Sequence, residues 1–242
     1  MNISAVYRRE MRSYFSTPLA YVFIVIFLMI AGIFTFYLGG FLPRAQADLE
    51  PFFTWHPWLY LFLAPALGMR LWAEERKTGT FELLMTLPVS ITDAVLGKFL
   101  AAWSMMGMSL ALTFPIWITV NVLGNPDNGV ILAGYLGSLL MSGAYLAVSA
   151  CVSSTTRNQV IAFIVSVVLC FTFLLLGFPL ILDLFRPWLP GAAVNFMASL
   201  GFLQHFESIV RGVVDLRDVL YFITFIGLWL YAGAWAVDHH RS

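Results

Sequence analysis

Over most of this chain apolar residues do not alternate with polar ones; they run on without a break. Six stretches, Leu19 to Leu42, Phe52 to Leu71, Ala94 to Leu123, Val130 to Val152, Val160 to Leu182 and Val219 to Val237, are almost entirely apolar. Each reaches the roughly 20 residues that an α-helix needs to cross the hydrocarbon core of a bilayer, so each predicts a membrane span. Patterning returns where the runs stop. From Ile3 to Phe15, the residues Ile3, Val6, Tyr7, Met11 and Tyr14 recur at helical spacing, with Arg8, Arg9, Arg12 and Ser13 on the other side. That is the pattern of an amphipathic helix lying in the headgroup region, and Pro18 stops it, so residues 1–18 are expected to form an interfacial helix. Basic residues ahead of an apolar run also fit a signal peptide, but this run is long and bulky and has no small-residue cleavage site.

The stretch from Trp72 to Lys98 is a polar island between two apolar runs. It carries Glu74, Glu75, Arg76, Lys77, Glu82, Asp93 and Lys98 in a chain that is only 11% charged, so residues 73–93 must lie in water or against another protein. Thr80 is placed to cap a short helix, Glu82 falls in its first turn, Leu83, Leu84 and Leu87 give it an apolar stripe, and Pro88 ends it. A two-turn helix of this kind suits docking into a groove on a partner, and a solvated loop is the alternative.

Residues 183–218 are neither a clean span nor an ordinary loop. After Arg186, Pro187 and Pro190 the pattern becomes helical: Phe202, Phe206, Ile209 and Val213 share one face, with Gln204, Ser208, Arg211 and Asp215 opposite. Glu207 is placed to pair with Arg211 four residues on. One or two outer amphipathic or re-entrant helices are expected here, between the fifth and sixth spans, with Glu207, Arg211 and Asp215 as the candidate contact residues of the outer segment. Within the spans, Gly134, Ser138 and Ser142, and Gly107 with Ala111, recur at four-residue spacing, which lets helices approach closely inside a bundle or between subunits. Pro57, Pro65 and Pro115 are expected to kink their helices.

Composition sets the class. At 242 residues, 60% hydrophobic, with 22 Phe and 8 Trp, the chain has too much apolar surface for an aqueous globule, and one all-α polytopic domain over 1–242 is expected. Net charge is zero, so no nucleic-acid partner is marked. An even number of spans puts both termini on one side. With that side holding the interfacial helix, the island, Arg157 and Arg241, Lys and Arg divide nine against four, which makes both termini and the island cytoplasmic. Cys151 and Cys170 fall inside apolar runs and read as small hydrophobes. The sequence holds no phosphate-binding loop of the G-x-x-x-x-G-K-[ST] type, no H-E-x-x-H and no G-x-S-x-G. His56, His205, His239 and His240 stand near span ends or the terminus, with no carboxylate cluster to complete a metal site. The expected spans hold almost no ionisable residues in their middles, so energy for any uphill transport is expected to come from elsewhere. An intramembrane enzyme is disfavoured for want of a catalytic motif.

The N-terminal amphipathic helix, the six apolar runs and the E-E-R-K-x-G-T-x-E-L-L-x-T-L-P-V-S run from Glu74, closed by Gly97 and Lys98, together resemble the permease subunit of ABC-2 type transporters over the whole length. The run F-E-S-I-V-R-G-V-V-D-L-R-D-V-L-Y-F from Phe206 to Phe222 is most similar to the gliding-motility-type permeases of that superfamily. The resemblance implies a coupling helix in the island that sits in a cleft of a separate ATPase, with Glu74, Glu75, Arg76, Thr78, Gly79, Glu82 and Pro88 as the matching residues and Gly79 allowing a sharp turn. It implies two ATPase copies that bind ATP and Mg, no cofactor on this chain, and a second permease, identical or paralogous. It further implies residence in a bacterial inner membrane, a role in export, and a membrane-anchored auxiliary protein with an extracytoplasmic domain. A non-transporting subunit that passes ATPase work to an extracytoplasmic partner is the alternative. The short loop from Ser153 to Asn158 is a plain turn or a further contact.

Overall fold

The computed structural model describes residues 3–44, 46–80 and 90–239, and every regular element among them is a helix. In chain order these are α1 (Ile3–Ser16), α2 (Leu19–Ile33, continued by a π-turn Phe34–Leu38), α3 (Glu50–Thr54), α4 (His56–Gly68), α5 (Arg70–Thr78), α6 (Ile91–Ala111), α7 (Phe114–Leu123), α8 (Asn128–Thr155), α9 (Gln159–Leu175), α10 (Pro179–Phe185), α11 (Gly191–Ser199), α12 (Phe202–Val210) and α13 (Leu216–His239). The starts are written in the sequence. Ser90 accepts from the Asp93 N–H at 3.1 Å to cap α6, Asp127 accepts from Gly129 N–H at 2.8 Å to cap α8, and Asn158 accepts from Val160 N–H at 2.9 Å to cap α9.

Among the described residues, four stretches are helical, long and apolar enough to cross a membrane: Leu19–Leu38, Ile91–Leu123, Asn128–Thr155 and Leu216–His239. A fifth follows if α9 and α10, bent by 79°, count as one. The six expected spans are therefore not all recovered as single helices. The second, Phe52 to Leu71, is divided among α3, α4 and α5, none of which is long enough alone. Its breaks fall at Trp55 (φ −92°, ψ −7°) and Met69 (φ −57°, ψ −25°), where the backbone keeps a right-handed turn. Pro57 sits in the first turn of α4 and Pro65 inside it, so two of the helix's N–H donors are missing. The expected fifth span, Val160 to Leu182, stops at Leu175. Phe178 precedes Pro179 and is extended (φ −82°, ψ 125°), the conformation a following proline imposes. Leu112 and Thr113 interrupt the third span just before Pro115.

Helix α8 is the hub, packed against α4, α5, α6, α9, α12 and α13. Its small residues make this approach possible. A Cβ on Gly134 would lie 2.5 Å from the Phe53 ring, one on Gly137 2.8 Å from Ile209, and one on Gly143 2.9 Å from Trp103 Nε1. Of the small residues at four-residue spacing, Gly134 therefore packs inside this chain, as does Gly107, where a Cβ would lie 3.2 Å from Leu139. Several polar groups along α8 find partners within the bundle: Ser138 Oγ lies 2.7 Å from Tyr60 OH and 2.9 Å from His56 Nδ1, and the Trp103 indole N–H donates to Leu139 O at 2.9 Å. His56, expected near a span end, is 1% exposed and ringed by Phe52, Phe53 and Tyr60.

The apolar side of α1 is covered by protein. Val6 is buried against Gly97 of α6, Tyr7 OH donates to Ser104 Oγ at 3.2 Å, and Arg8, Arg9, Arg12 and Ser13 stay exposed. In the segment after the bend, α12 buries Phe202, His205, Phe206 and Ile209. Val213, expected on that face, lies past the helix end and is 61% exposed, because the chain turns at Gly212 (φ +87°).

Gly134→Ala should lower stability by about 1–3 kcal/mol through overpacking against the Phe53 ring, and Gly134→Ala combined with Phe53→Leu should recover most of it. Thermal unfolding of the two variants in detergent measures the difference.

Candidate coupling site

The polar island enters the structure as α5, and its first residues are fixed by the end of α8. Ser153 Oγ donates to Met69 O at 2.8 Å and accepts from the N–H groups of Trp72 and Ala73 at 3.1 and 3.0 Å. One hydroxyl therefore satisfies the backbone groups that the break at Met69 frees, which holds α5 at a set angle to α8. Arg70 grips Glu74 in bidentate fashion at 2.7 and 2.9 Å, and those bonds hold the Glu74 carboxyl below its ordinary range.

The next residue along, Glu75, turns inward. Its Oε1 lies 2.9 Å from Lys98 Nζ and 3.1 Å from Arg9 Nη2. The same two cations hold Glu10 of α1, at 3.1 Å from Lys98 and 2.8 Å from Arg9. Lys98 has a side chain only 3% exposed, and its ammonium lies 5.3 Å from the centroid of the Trp72 ring. Two carboxylates and two cations thus join α1, α5 and α6 at one corner. Burial alone would raise the Glu10 carboxyl, but Lys98 and Arg9 outweigh it and hold the group below its ordinary 4.5.

Thr78 Oγ1 donates to Glu74 O at 2.9 Å, and Gly79 ends α5 in the left-handed region at φ +74°. Only glycine adopts that conformation freely, so the sharp turn expected at Gly79 has its physical basis. Arg76 is pushed down from its ordinary value, first by burial and then by the like charge of Arg157, so the loop after α8 lies close to the island. Glu82, Pro88 and the two-turn helix expected after Thr80 lie outside the described residues.

A sequence model of the ABC-2 family transporter proteins matches residues 4–225. The chain belongs to this family. No curated protein matches it. Membership makes it a multi-pass membrane component of an ABC transporter, in the class of permeases that pair with an ABC ATPase.

In this ABC-2 protein the expected site residues Glu74, Glu75, Arg76, Thr78 and Gly79 all fall on α5 and its cap. The candidate contact residues of the later segment separate. Glu207 and Arg211 pair at 3.4 Å on an exposed surface, worth at most a few tenths of a kcal/mol, while Asp215 instead accepts from Arg217 N–H at 2.9 Å at the start of α13. Sequence reasoning missed Glu10, Lys98, His205 and Asp218. The signal for the first two was present: Glu10 stands among arginines, and a lysine just inside an apolar run needs a partner.

Lys98→Met should cost about 1–3 kcal/mol, since it leaves the half-buried Glu10 and Glu75 with the exposed Arg9 as their shared cation; adding Glu10→Gln should restore part of that, as read by thermal unfolding. The Glu10 contribution is full above the ordinary carboxylate value and is lost as pH falls through its depressed value in the folded protein. Acid titration should therefore weaken the anchoring of α1 in the wild type, with a shallower loss in Glu10→Gln, measurable by cross-linking α1 to α6.

Proposed function

We propose that this chain is the permease subunit of an ATP-driven exporter in a bacterial inner membrane, of the gliding-motility type, with both termini cytoplasmic. The observation that carries the reading is the tie of Glu75 to the buried Lys98 and to Arg9. A push delivered to the island by a partner would pass through that tie to α1 and α6 and through Ser153 to α8. ATP and Mg belong to two copies of a cytoplasmic ATPase, and the segment 73–93, including Glu82 and Pro88, is their docking element. ATPase closure then rocks this bundle against that of a second permease, identical or paralogous, as rigid bodies. A membrane-anchored protein with an extracytoplasmic domain is the further partner. The Lys and Arg distribution along the sequence, nine against four, supports the orientation.

The test is purification of the chain with the ATPase encoded beside it, followed by intact-complex mass and ATP hydrolysis. A two-plus-two complex is expected. A Cβ at Gly79 meets no atom of the described residues within 4 Å, so substitutions there act first through backbone conformation. Gly79→Val, carrying about 1–2 kcal/mol of left-handed strain, should reduce coupled hydrolysis about tenfold, whereas Gly79→Asn should be mild. Charge reversal at Glu82 should also uncouple without loss of the folded protein. Full ATP-dependent activity in the Gly79→Val and Glu82 variants overturns the coupling assignment.

A further inference from the structure

The segment between the bent helix and the last helix contains a buried acid–base pair with no part in the coupling corner. His205 of α12 and Asp218 of α13 are 9% and 7% exposed. His205 Nδ1 lies 2.6 Å from Asp218 Oδ1, and Nε2 lies 3.0 Å from the carbonyl oxygen of Ser199 at the end of α11. The imidazole stacks on the Tyr221 ring, with centroids 4.0 Å apart and planes at 19°, and Tyr221 OH donates to Leu200 O at 2.6 Å. The pair forms part of the wall of a polar cavity of about 620 Å³ that Asn195, Gln204, Asp215 and Arg217 also line.

Proton counting decides what this geometry requires. Both partners of the ring are oxygen acceptors, so two hydrogen bonds need two protons in the pair. Either both ring nitrogens carry hydrogen opposite a carboxylate, or Asp218 carries one and donates to Nδ1 while Nε2–H donates to Ser199. Remove one proton to water and a neutral imidazole faces a carboxylate with a single N–H. One ring nitrogen then points a lone pair at an oxygen lone pair, and one of the two bonds must break. We propose that His205 and Asp218 form a proton-binding site that latches α11 and α12 onto the start of α13.

The proton exchanges with water in the cavity, and the stacked Tyr221 ring favours the cationic imidazole. Asp215 and Arg217 are exposed at the cavity rim, and Glu207 of α12 pairs with Arg211, just past the end of that helix, at 3.4 Å. Of the packed neighbours, α8 offers only Tyr135, Tyr145 and Cys151, α9 only Cys170, and α11 no titratable side chain. The Tyr221–Leu200 bond persists when the proton leaves, so release loosens the segment without unfolding it. The direction is fixed: the latch is closed at low pH and opens as pH rises.

Hydrogen–deuterium exchange of the full chain in lipid nanodiscs, corrected for intrinsic rates, tests this from about pH 5 to about pH 8. Protection of residues 200–210 relative to 131–148 should fall in the wild type, approaching tenfold per pH unit once the proton is lost. In Asp218→Asn the carboxamide NH₂ donates to Nδ1 without an extra proton, so protection should be high and flat. In His205→Ala it should be low and flat; if that variant fails to fold, Asp218→Asn against wild type is the deciding comparison. A wild-type profile as flat as that of Asp218→Asn, or an Asp218→Asn profile that tracks a falling wild type, overturns the proposal. The readout involves no ATPase, so its outcome is separate from that of the coupling assignment.

Discussion

How closely other helices can approach α8 is the constraint on which the rest of the bundle depends. Dispersion between side chains falls off steeply with separation, and in a bilayer there is no hydrophobic gain from pressing helix on helix. Gly134, Gly137 and Gly143 bring Phe53, Ile209 and Trp103 to van der Waals distance of the α8 backbone. Closeness then makes hydrogen bonding obligatory. Ser138 and Ser153 meet His56, Tyr60 and the backbone of Met69, Trp72 and Ala73, groups that would cost about 1–3 kcal/mol each if left unpaired out of water.

The same hub sets the coupling corner. Because Ser153 satisfies the break at Met69, α5 leaves the bundle in a defined direction, and Glu75 reaches Lys98 and Arg9. Lys98 is buried, so its charge cannot be left to solvent, and the two carboxylates it holds come from helices far apart in sequence. A buried charge with two partners resists small displacements of any one of them. Under the proposed function this stiffness is what lets movement of a short cytoplasmic element reach the membrane helices as a rigid-body shift.

Much of the architecture was legible. The α1 pattern over Ile3 to Phe15, the long run from Val130 and the Glu207–Arg211 spacing each correspond to a helix or pair in the fold, because each depends on local periodicity or length. The run Phe52 to Leu71 was legible as apolar but not as three helices. Hydropathy adds up side chains and does not register the missing N–H groups of Pro57 and Pro65. Similarly, the apolar run over the α9–α10 bend conceals the restriction that Pro179 places on Phe178. Val213 continued a helical stripe in sequence, yet the turn at Gly212 takes it out to the surface.

The sequence by itself determined that this is a membrane protein of helices, where the polar island lies, and that Gly79 can let the chain turn sharply there. These follow from composition, local spacing and backbone sterics. Only the tertiary structure decided that Lys98 lies between Glu10 and Glu75, that Ser153 holds the start of α5, and that His205 faces Asp218 and Ser199. The energy of a buried charge or hydrogen bond depends on which distant residue completes it. That partner is chosen by how the helices pack, a property no local window of the chain contains.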